Sequence, residues 1–363
     1  MPKLSGNKGE WSEIYVFLRL LETGKLYAAD ADLNKKEDLF YNVLEVIRME
    51  GLKKLEFLIN HETASIDIQE AGNNEILASV PFSSFKNSAD YLYKAIIEAD
   101  TASFSVERVE EFLESIYVIT LKAKSSDKAD IRIKIHDTNT GINCVQGFSI
   151  KSRLGSASTL INAGKTTNFI YEVSGNMTDE IMHEFNTCSK QFKNKFEVLA
   201  KYNCDITYVD MCNNIFEGNL RLLDGDLPEI CAYMLKAFYA DGTVRVKESL
   251  EQITSLNPLK YNLSQGHPFY EYKFKKLLTE SALGMLPSKA WDGTADATGG
   301  YIIVREDGEV LCYHLFNRNE FENYLVNNTK FETASTTRHD FGSIYKENGK
   351  YYLKLNLQIR FIK

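Results

Sequence analysis

Between residues 130 and 151 the chain carries an acid and a lysine on what reads as the two arms of one hairpin. Asp130 stands directly before Ile131-Arg132-Ile133-Lys134-Ile135-His136, where apolar and polar residues alternate at every step. Period-two alternation marks a half-buried strand. Asn139-Thr140-Gly141 supplies turn chemistry, because glycine enters positive φ without steric cost. A second strand follows from Ile142 to near Ser152. With the turn centred near Thr140, residues whose numbers sum to about 280 face each other across the ladder. Asp130 then lies opposite Ile150, within one residue of Ser149 and Lys151, which share a face because strand side chains alternate. A carboxylate beside an ammonium can hold a divalent cation and steady an attacking water. Phosphodiester hydrolysis needs both, since charge builds on phosphorus and hydroxide must form near neutral pH. The plain structural alternative is an amphipathic hairpin with a solvated Arg/Lys face.

This hairpin resembles the PD-(D/E)XK nuclease superfamily, in which an Asp and a second carboxylate hold Mg²⁺ and the Lys orients or activates the water. Two positions depart from that pattern. Ala129 stands where Pro is usual, and Ser149 replaces the second acid, giving Ser149-Ile150-Lys151. A serine brings no negative charge, so another carboxylate must complete a metal site. Glu10 and Glu13 lie one turn apart at the start of a predicted helix. Acids there also favour the positive end of the helix dipole. Nucleases of this superfamily commonly carry such a glutamate on their first helix, and Glu13, further in, is the preferred candidate. Gln146 is a fallback on the other face, and Asp137 is the alternative first acid if the hairpin is shifted.

Several elements must position these groups. Trp11, Ile14, Leu18 and Leu21 form one apolar stripe at helical spacing, with Gly24 as a stop. Leu39, Val43, Leu44 and Ile47 predict a helix over 31–51, followed by short strands at 55–59 and 65–69. Helices are predicted at 89–99 and 106–116, and a strand at 117–122 leads into the hairpin. Beyond it, 156–162 reads as a short helix or turn, 168–173 as a strand and 179–200 as one amphipathic helix. A further helix spans 227–238, opened by Pro228, and strands at 301–304 and 310–315 flank a turn at Asp307-Gly308. Asp296 and Glu309 are a second possible acid pair there, with Leu311 where the lysine would stand. The end, 351–362, alternates as one strand with Leu353, Leu355, Leu357 and Ile359 on one face. This order predicts an α+β (mixed α/β) fold. A PD-(D/E)XK-like core of mixed sheet flanked by helices is expected over 1–178. A C-terminal α+β DNA-recognition region is expected over 179–363, packed closely on it.

At 363 residues, with 44% hydrophobic and 25% charged residues, the composition is that of a globular protein of one or two domains. No apolar run approaches the roughly 20 residues of a membrane-spanning helix. The N-terminus lacks the apolar stretch of a secretory signal, and the six cysteines form no C-x-x-C pair. A reduced cytoplasm fits better than a disulfide framework or a zinc site. No Gly-rich phosphate loop is present, which argues against a nucleotide-dependent metabolic enzyme. The net charge is −8, yet its distribution matters more than its sum. Residues 120–166 hold eight Lys/Arg against three acids, and 313–363 hold eight against five, two basic stretches on an acidic body.

Three long segments carry a closer resemblance: GNKGEWSEIYVFLRLLETGKLYAAD near the start, GFSIKSRLGSASTLINAGKTTNF in the middle, and WDGTADATGGYIIV with KLNLQIRF towards the end. Together they resemble the HpaII-type restriction endonucleases over essentially the whole chain. That resemblance implies a bacterial, cytoplasmic Type II enzyme that recognises CCGG in double-stranded DNA and cuts it with Mg²⁺. It also implies a cognate cytosine methyltransferase as functional partner. On this chain Asp130 and Lys151 become the catalytic pair, Glu13 (or Glu10) the remaining acid, and Ser149 the occupant of the second acid's place. A palindromic site suits a homodimer on DNA, and a monomer nicking one strand at a time stays open. Arg318 and Arg338 are candidate guanine readers, since Arg pairs bidentately with guanine, with Asn319 and His339 beside them. Ser152 and Arg153 are further candidate DNA-binding residues, with Arg153 placed at the DNA backbone. The competing classes are a DNA-binding protein without catalysis and a nuclease of the same core with another target.

Overall fold

The computed structural model describes residues 4–73, 75–122, 129–138 and 141–363. Helix α1 (Lys8–Thr23) is closed at both ends. Asn7 and Glu10 form a reciprocal capping box at its start, and Gly24 ends it in the left-handed region at φ 62. Between Trp11 and Leu21 every residue but Glu13 and Arg19 is buried, so α1 is an internal helix and not a one-sided one.

Strands β1 (Lys25–Ala29), β2 (Lys35–Glu50), β3 (Lys53–Asn60), β4 (Ser65–Glu70) and β5 (Ile76–Pro81) follow, then helices α2 (Phe82–Glu98) and α3 (Glu107–Ser115). The hairpin is β6 (Ile131–Asp137) and β7 (Ile142–Ser152). Next come β8 (Thr159–Ile161), β9 (Asn168–Ser174), α4 (Asp179–Cys188), α5 (Phe192–Lys201), β10 (Asp205–Met211), α6 (Asn214–Leu223), α7 (Leu227–Asp241), α8 (Val246–Leu256) and α9 (Phe269–Leu283). The last elements are β11 (Gly300–Val304), β12 (Val310–His314), α10 (Arg318–Asn327), β13 (Thr329–Phe331), α11 (Thr336–His339), β14 (Ile344–Glu347), β15 (Lys350–Asn356) and β16 (Ile359–Phe361). The architecture is mixed α+β.

The chain packs as two compact units. The first holds Met1–Ser158, Ala295–Tyr324 and Lys363; the second holds Thr159–Thr294 and Leu325–Ile362. Among the described residues, the first unit has one sheet in the order β1-β12-β11-β7-β6-β2-β3-β4-β5, and β1 also pairs with β2. Six strands thus close into a ring, which removes their free edges, while β3, β4 and β5 extend outward from β2. Strand β7 sits between an antiparallel neighbour, β6, and a parallel one, β11. Residues of α1, β2, β6 and β7 join in one apolar core, with Trp11, Phe17, Val46, Ile133 and Phe148 fully buried. In the second unit, β10-β9-β15-β14 form one sheet and β13-β16-β8 another. The buried face of the first carries Phe169, Tyr171, Leu353 and Leu355, and the Tyr171 hydroxyl donates to the Ala232 carbonyl of α7 at 2.7 Å.

Five expectations about local structure are overturned. The helix expected over 31–51 is the strand β2. Its register against β6 shifts between Val43 and Glu45, and this bulge moves the buried positions from Tyr41 and Val43 to Val46, Arg48 and Glu50. One extra residue breaks a period of two into something resembling a helical period. Residues 117–122 form no strand. Tyr117 adopts φ 64, and the Ile119 amide and Thr120 hydroxyl are taken by the Glu50 carboxylate, each at 3.0 Å. The turn expected over 156–162 contains β8, whose partner is β16, far away in sequence. The single helix over 179–200 is α4 and α5, separated where the Ser189 hydroxyl accepts from the Gln191 amide at 3.0 Å. The terminal strand is two strands in different sheets, although Leu353, Leu355, Leu357 and Ile359 are all fully buried.

Candidate active site

The hairpin ladder pairs Ile131 with Phe148 and Asp137 with Ile142, one residue off the expected register. Extended by one step, it brings Asp130 opposite Ser149 and not Ile150. The physical consequence is direct contact. The Ser149 hydroxyl donates to Asp130 Oδ2 at 3.0 Å, and the Ile150 amide donates to the same oxygen at 2.6 Å. The Asp130 amide in turn donates to the Phe148 carbonyl at 2.9 Å. Close approach of the two arms depends on Gly147. A Cβ there would lie 2.7 Å from the Cβ of Ala129, the buried residue that replaces the usual proline.

Lys151 lies on the same face of β7 as Ser149. Its Nζ sits 5.2 Å from the ring centroid of Tyr301 on β11, and Tyr301 is paired with Ser149 in the parallel ladder. Burial lowers the Lys151 pKa, opposed by the negative charges of Asp130 and Glu13. A lysine held in this way gives up its proton more readily than a solvated one.

Glu13 supplies a second carboxylate from α1. Desolvation raises its pKa to about 8, and the Asp130 carboxylate adds to that, while Arg48 opposes it. Its Oε2 is buried without a hydrogen-bond partner among the described residues. Glu10, one turn earlier, is already engaged: its carboxylate accepts from the Asn7 amide at 2.9 Å and pairs with Lys122 at 2.9 Å. The Lys122 bond, first of all, lowers its pKa.

Arg48 and Glu50 border this cluster and were hidden inside the stretch read as a helix. Their side chains pair at 2.9 Å and are nearly inaccessible. Arg48 also donates to the Thr120 carbonyl at 2.8 Å and lies 5.1 Å from the centre of the Phe17 ring. Phe17 follows Glu13 by four residues on α1, so the two share a helix face. The one available signal was the alternation Val46-x-Arg48-x-Glu50 after the bulge. Ser12, beside Glu13, is likewise buried, and its hydroxyl lies 2.8 Å from that of Ser152.

A family model for the HpaII restriction endonuclease matches residues 7–361. The chain is also 42% identical over 359 residues to the Type II restriction enzyme HpaII of Haemophilus parainfluenzae, covering 99% of each chain. The chain belongs to the HpaII restriction endonuclease family. It is thereby placed among the restriction endonucleases, which are DNA-binding nucleases and hydrolases. No solved structure matches it.

Other candidate residues of this HpaII-family chain lie as follows. Asp137 is buried at the far end of β6, away from Lys151, and Gln146 donates to the Cys144 sulfur at 3.4 Å. Glu309 pairs with Lys35 at 3.2 Å. Ser152 accepts from the Leu154 amide at 3.1 Å, and Arg153 hydrogen-bonds Tyr324. Arg318 and Asn319 are exposed at the start of α10, with Arg318 ion-paired to Glu322 at 2.6 Å. Arg338 is exposed on α11, and the His339 carbonyl accepts from Asn168 at 2.8 Å. Arg318 and Asn319 belong to the first unit, Arg338 and His339 to the second.

No group of three or more His, Cys, Asp or Glu poised to hold a metal exists among the described residues. Two hard oxygen donors, Glu13 and Asp130, remain, one with a buried, unpartnered oxygen. That set fits Mg²⁺, which is commonly bound through one or two carboxylates, with water and substrate phosphate completing its shell.

Proposed function

We propose that the chain is a Mg²⁺-dependent endonuclease that cleaves double-stranded DNA at CCGG through a PD-(D/E)XK-type core. The observation that carries this is the convergence of Asp130, Ser149, Lys151 and Glu13 where the β6–β7 hairpin meets α1. Glu13 and Asp130 would hold the cation, which when bound supplies positive charge against the phosphoryl oxygens. Lys151 would then orient the attacking water and stabilise charge developing on the phosphate. Burial lowers its pKa, so this ammonium exchanges a proton more readily than a solvated lysine does. Partial burial of the two carboxylates strengthens their attraction for a cation, which would in turn offset the phosphate charge. The CCGG target extends the family resemblance. Exposed Arg318, Asn319 and Arg338 and half-buried His339 are the proposed base readers, with Ser152 and Arg153 also facing the DNA. A homodimer would match the two-fold symmetry of the site, and a cognate cytosine methyltransferase would protect the same sequence in a bacterial cytoplasm.

The test is incubation of unmethylated plasmid with the purified protein, in Mg²⁺ and in EDTA, beside Lys151→Ala. Fragments ending at CCGG, dependent on Mg²⁺ and reduced by about 10²-fold or more in the variant, are expected. Fragments from the variant at the wild-type rate would move the catalytic centre elsewhere. Binding without cleavage by folded wild-type protein would favour a non-catalytic DNA-binding role.

A further inference from the structure

The place of the family pattern's second acid is taken by Ser149, and what that serine does is visible in its contacts. Its side chain is buried, 7% exposed, on a strand held on both sides. It donates to Asp130 Oδ2 at 3.0 Å, and the next backbone amide, that of Ile150, donates to the same oxygen at 2.6 Å. Two donors from successive residues of β7 therefore fix one carboxylate oxygen of a residue that itself lies just outside β6. Without them Asp130 would hang from the end of its strand, free to change rotamer. A hydroxyl also adds no charge. An acid at the same place would sit against Asp130 and repel it.

We propose that Ser149 is a positioning residue: with the Ile150 amide it clamps Asp130 so that the carboxylate is preset to receive a divalent cation. This rests on the proposed role of Asp130. Partners that orient a metal-binding carboxylate typically contribute 10–100-fold to metal affinity. The clamp therefore acts on cation binding in the free protein, before DNA is present.

The test uses the full chain without DNA and Mn²⁺ as a spectroscopic probe, titrated into wild type, Ser149→Ala, Ser149→Thr, Ser149→Cys and Asp130→Asn. Thermal unfolding of each checks that it is folded. Ser149→Ala is expected to weaken Mn²⁺ binding about tenfold, and Ser149→Thr, which keeps the hydroxyl, to recover most of it. The Mg²⁺ concentration for half-maximal cleavage should rise by a similar factor in Ser149→Ala, with the KM for DNA little changed. If Ser149→Ala does not fold, Ser149→Cys replaces it, since a thiol is a weak donor of similar shape. Wild-type Mn²⁺ affinity in whichever of these two variants folds overturns the clamp, as does equal weakening in Ser149→Thr. Wild-type affinity in Asp130→Asn instead overturns the site itself, so the two failures are distinguishable.

Discussion

Glu13 is a carboxylate placed where carboxylates are costly. Desolvation, with the nearby Asp130 charge, lifts its pKa to about 8 from an ordinary value of 4.5. Below about pH 4.5 the residue is protonated whether the chain is folded or not, and it contributes no pH dependence. Between that value and about 8 the unfolded chain has released the proton and the folded chain keeps it. Stability then falls as pH rises, by about 1 kcal/mol per pH unit if the site is unrelaxed. Glu13→Gln removes this penalty. Urea unfolding in EDTA should show the variant gaining on wild type from pH 5 to pH 8, with the difference levelling above 8. A constant difference over that range would mean that Glu13 is already ionised in the folded protein. On the proposed role of Glu13 as a cation ligand, the same proton would have to leave for a cation to bind.

At the scale of elements, the contact between Gly147 and Ala129 sets how closely β6 and β7 approach at the end that carries Asp130. Gly147→Ala places a methyl 2.7 Å from the Ala129 methyl, and neither backbone can yield without moving Asp130. The expected cost is roughly 1–3 kcal/mol of stability, with cleavage slowed by about 10²-fold because Asp130 is displaced. Gly218→Ala, on an exposed position of α6 with open space around it, should instead raise stability by up to about 1 kcal/mol. Denaturant unfolding and plasmid cleavage of both variants check this. Equal behaviour of the two would remove the close approach as a constraint. The hairpin was legible because β6 alternates without a fault, Ile131, Ile133 and Ile135 buried and Arg132 exposed. Helix α1 was legible from its stripe and its Gly24 stop, though not its burial all round. Strand β2 was not legible because its bulge at Leu44 breaks the alternation, and Arg48 with Glu50 vanished along with it. Residues 117–120 misled for a different reason: the amides of Tyr117 and Val118 close the end of α3 on Glu114 and Leu113, and Ile119 and Thr120 are held by the Glu50 side chain, a bond no local pattern announces.

On the scale of the whole molecule, the first unit joins Met1–Ser158 to Ala295–Tyr324, two segments separated in sequence by Thr159–Thr294 of the second. Strand β11 pairs with β7 along Gly300–Val304, and β12 pairs with β1 through Leu311 and Cys312. The sequence shows β11 and β12 as a hairpin but not their destination, because parallel pairing across so long an insertion leaves no local trace. Their removal would strip β7 of one neighbour, open the six-strand ring, and take Ile302, Val304 and Cys312 out of the apolar core. It would also remove the Gly308 carbonyl that accepts from the Tyr15 hydroxyl at 2.6 Å and the Tyr301 ring beside Lys151. A fragment of residues 1–158 alone should therefore lack a cooperative thermal transition, with exposed strand edges promoting aggregation. A chain in which 1–158 is joined by a flexible Gly/Ser linker to 295–324 should regain a sharp transition, since it restores both pairings and the core residues together. Circular dichroism melts of the two chains decide the matter. A sharp transition in the short fragment would show that residues 1–158 fold cooperatively without a closed ring. Failure of the fused chain alongside it would mean that the first unit also depends on residues of the second for its stability.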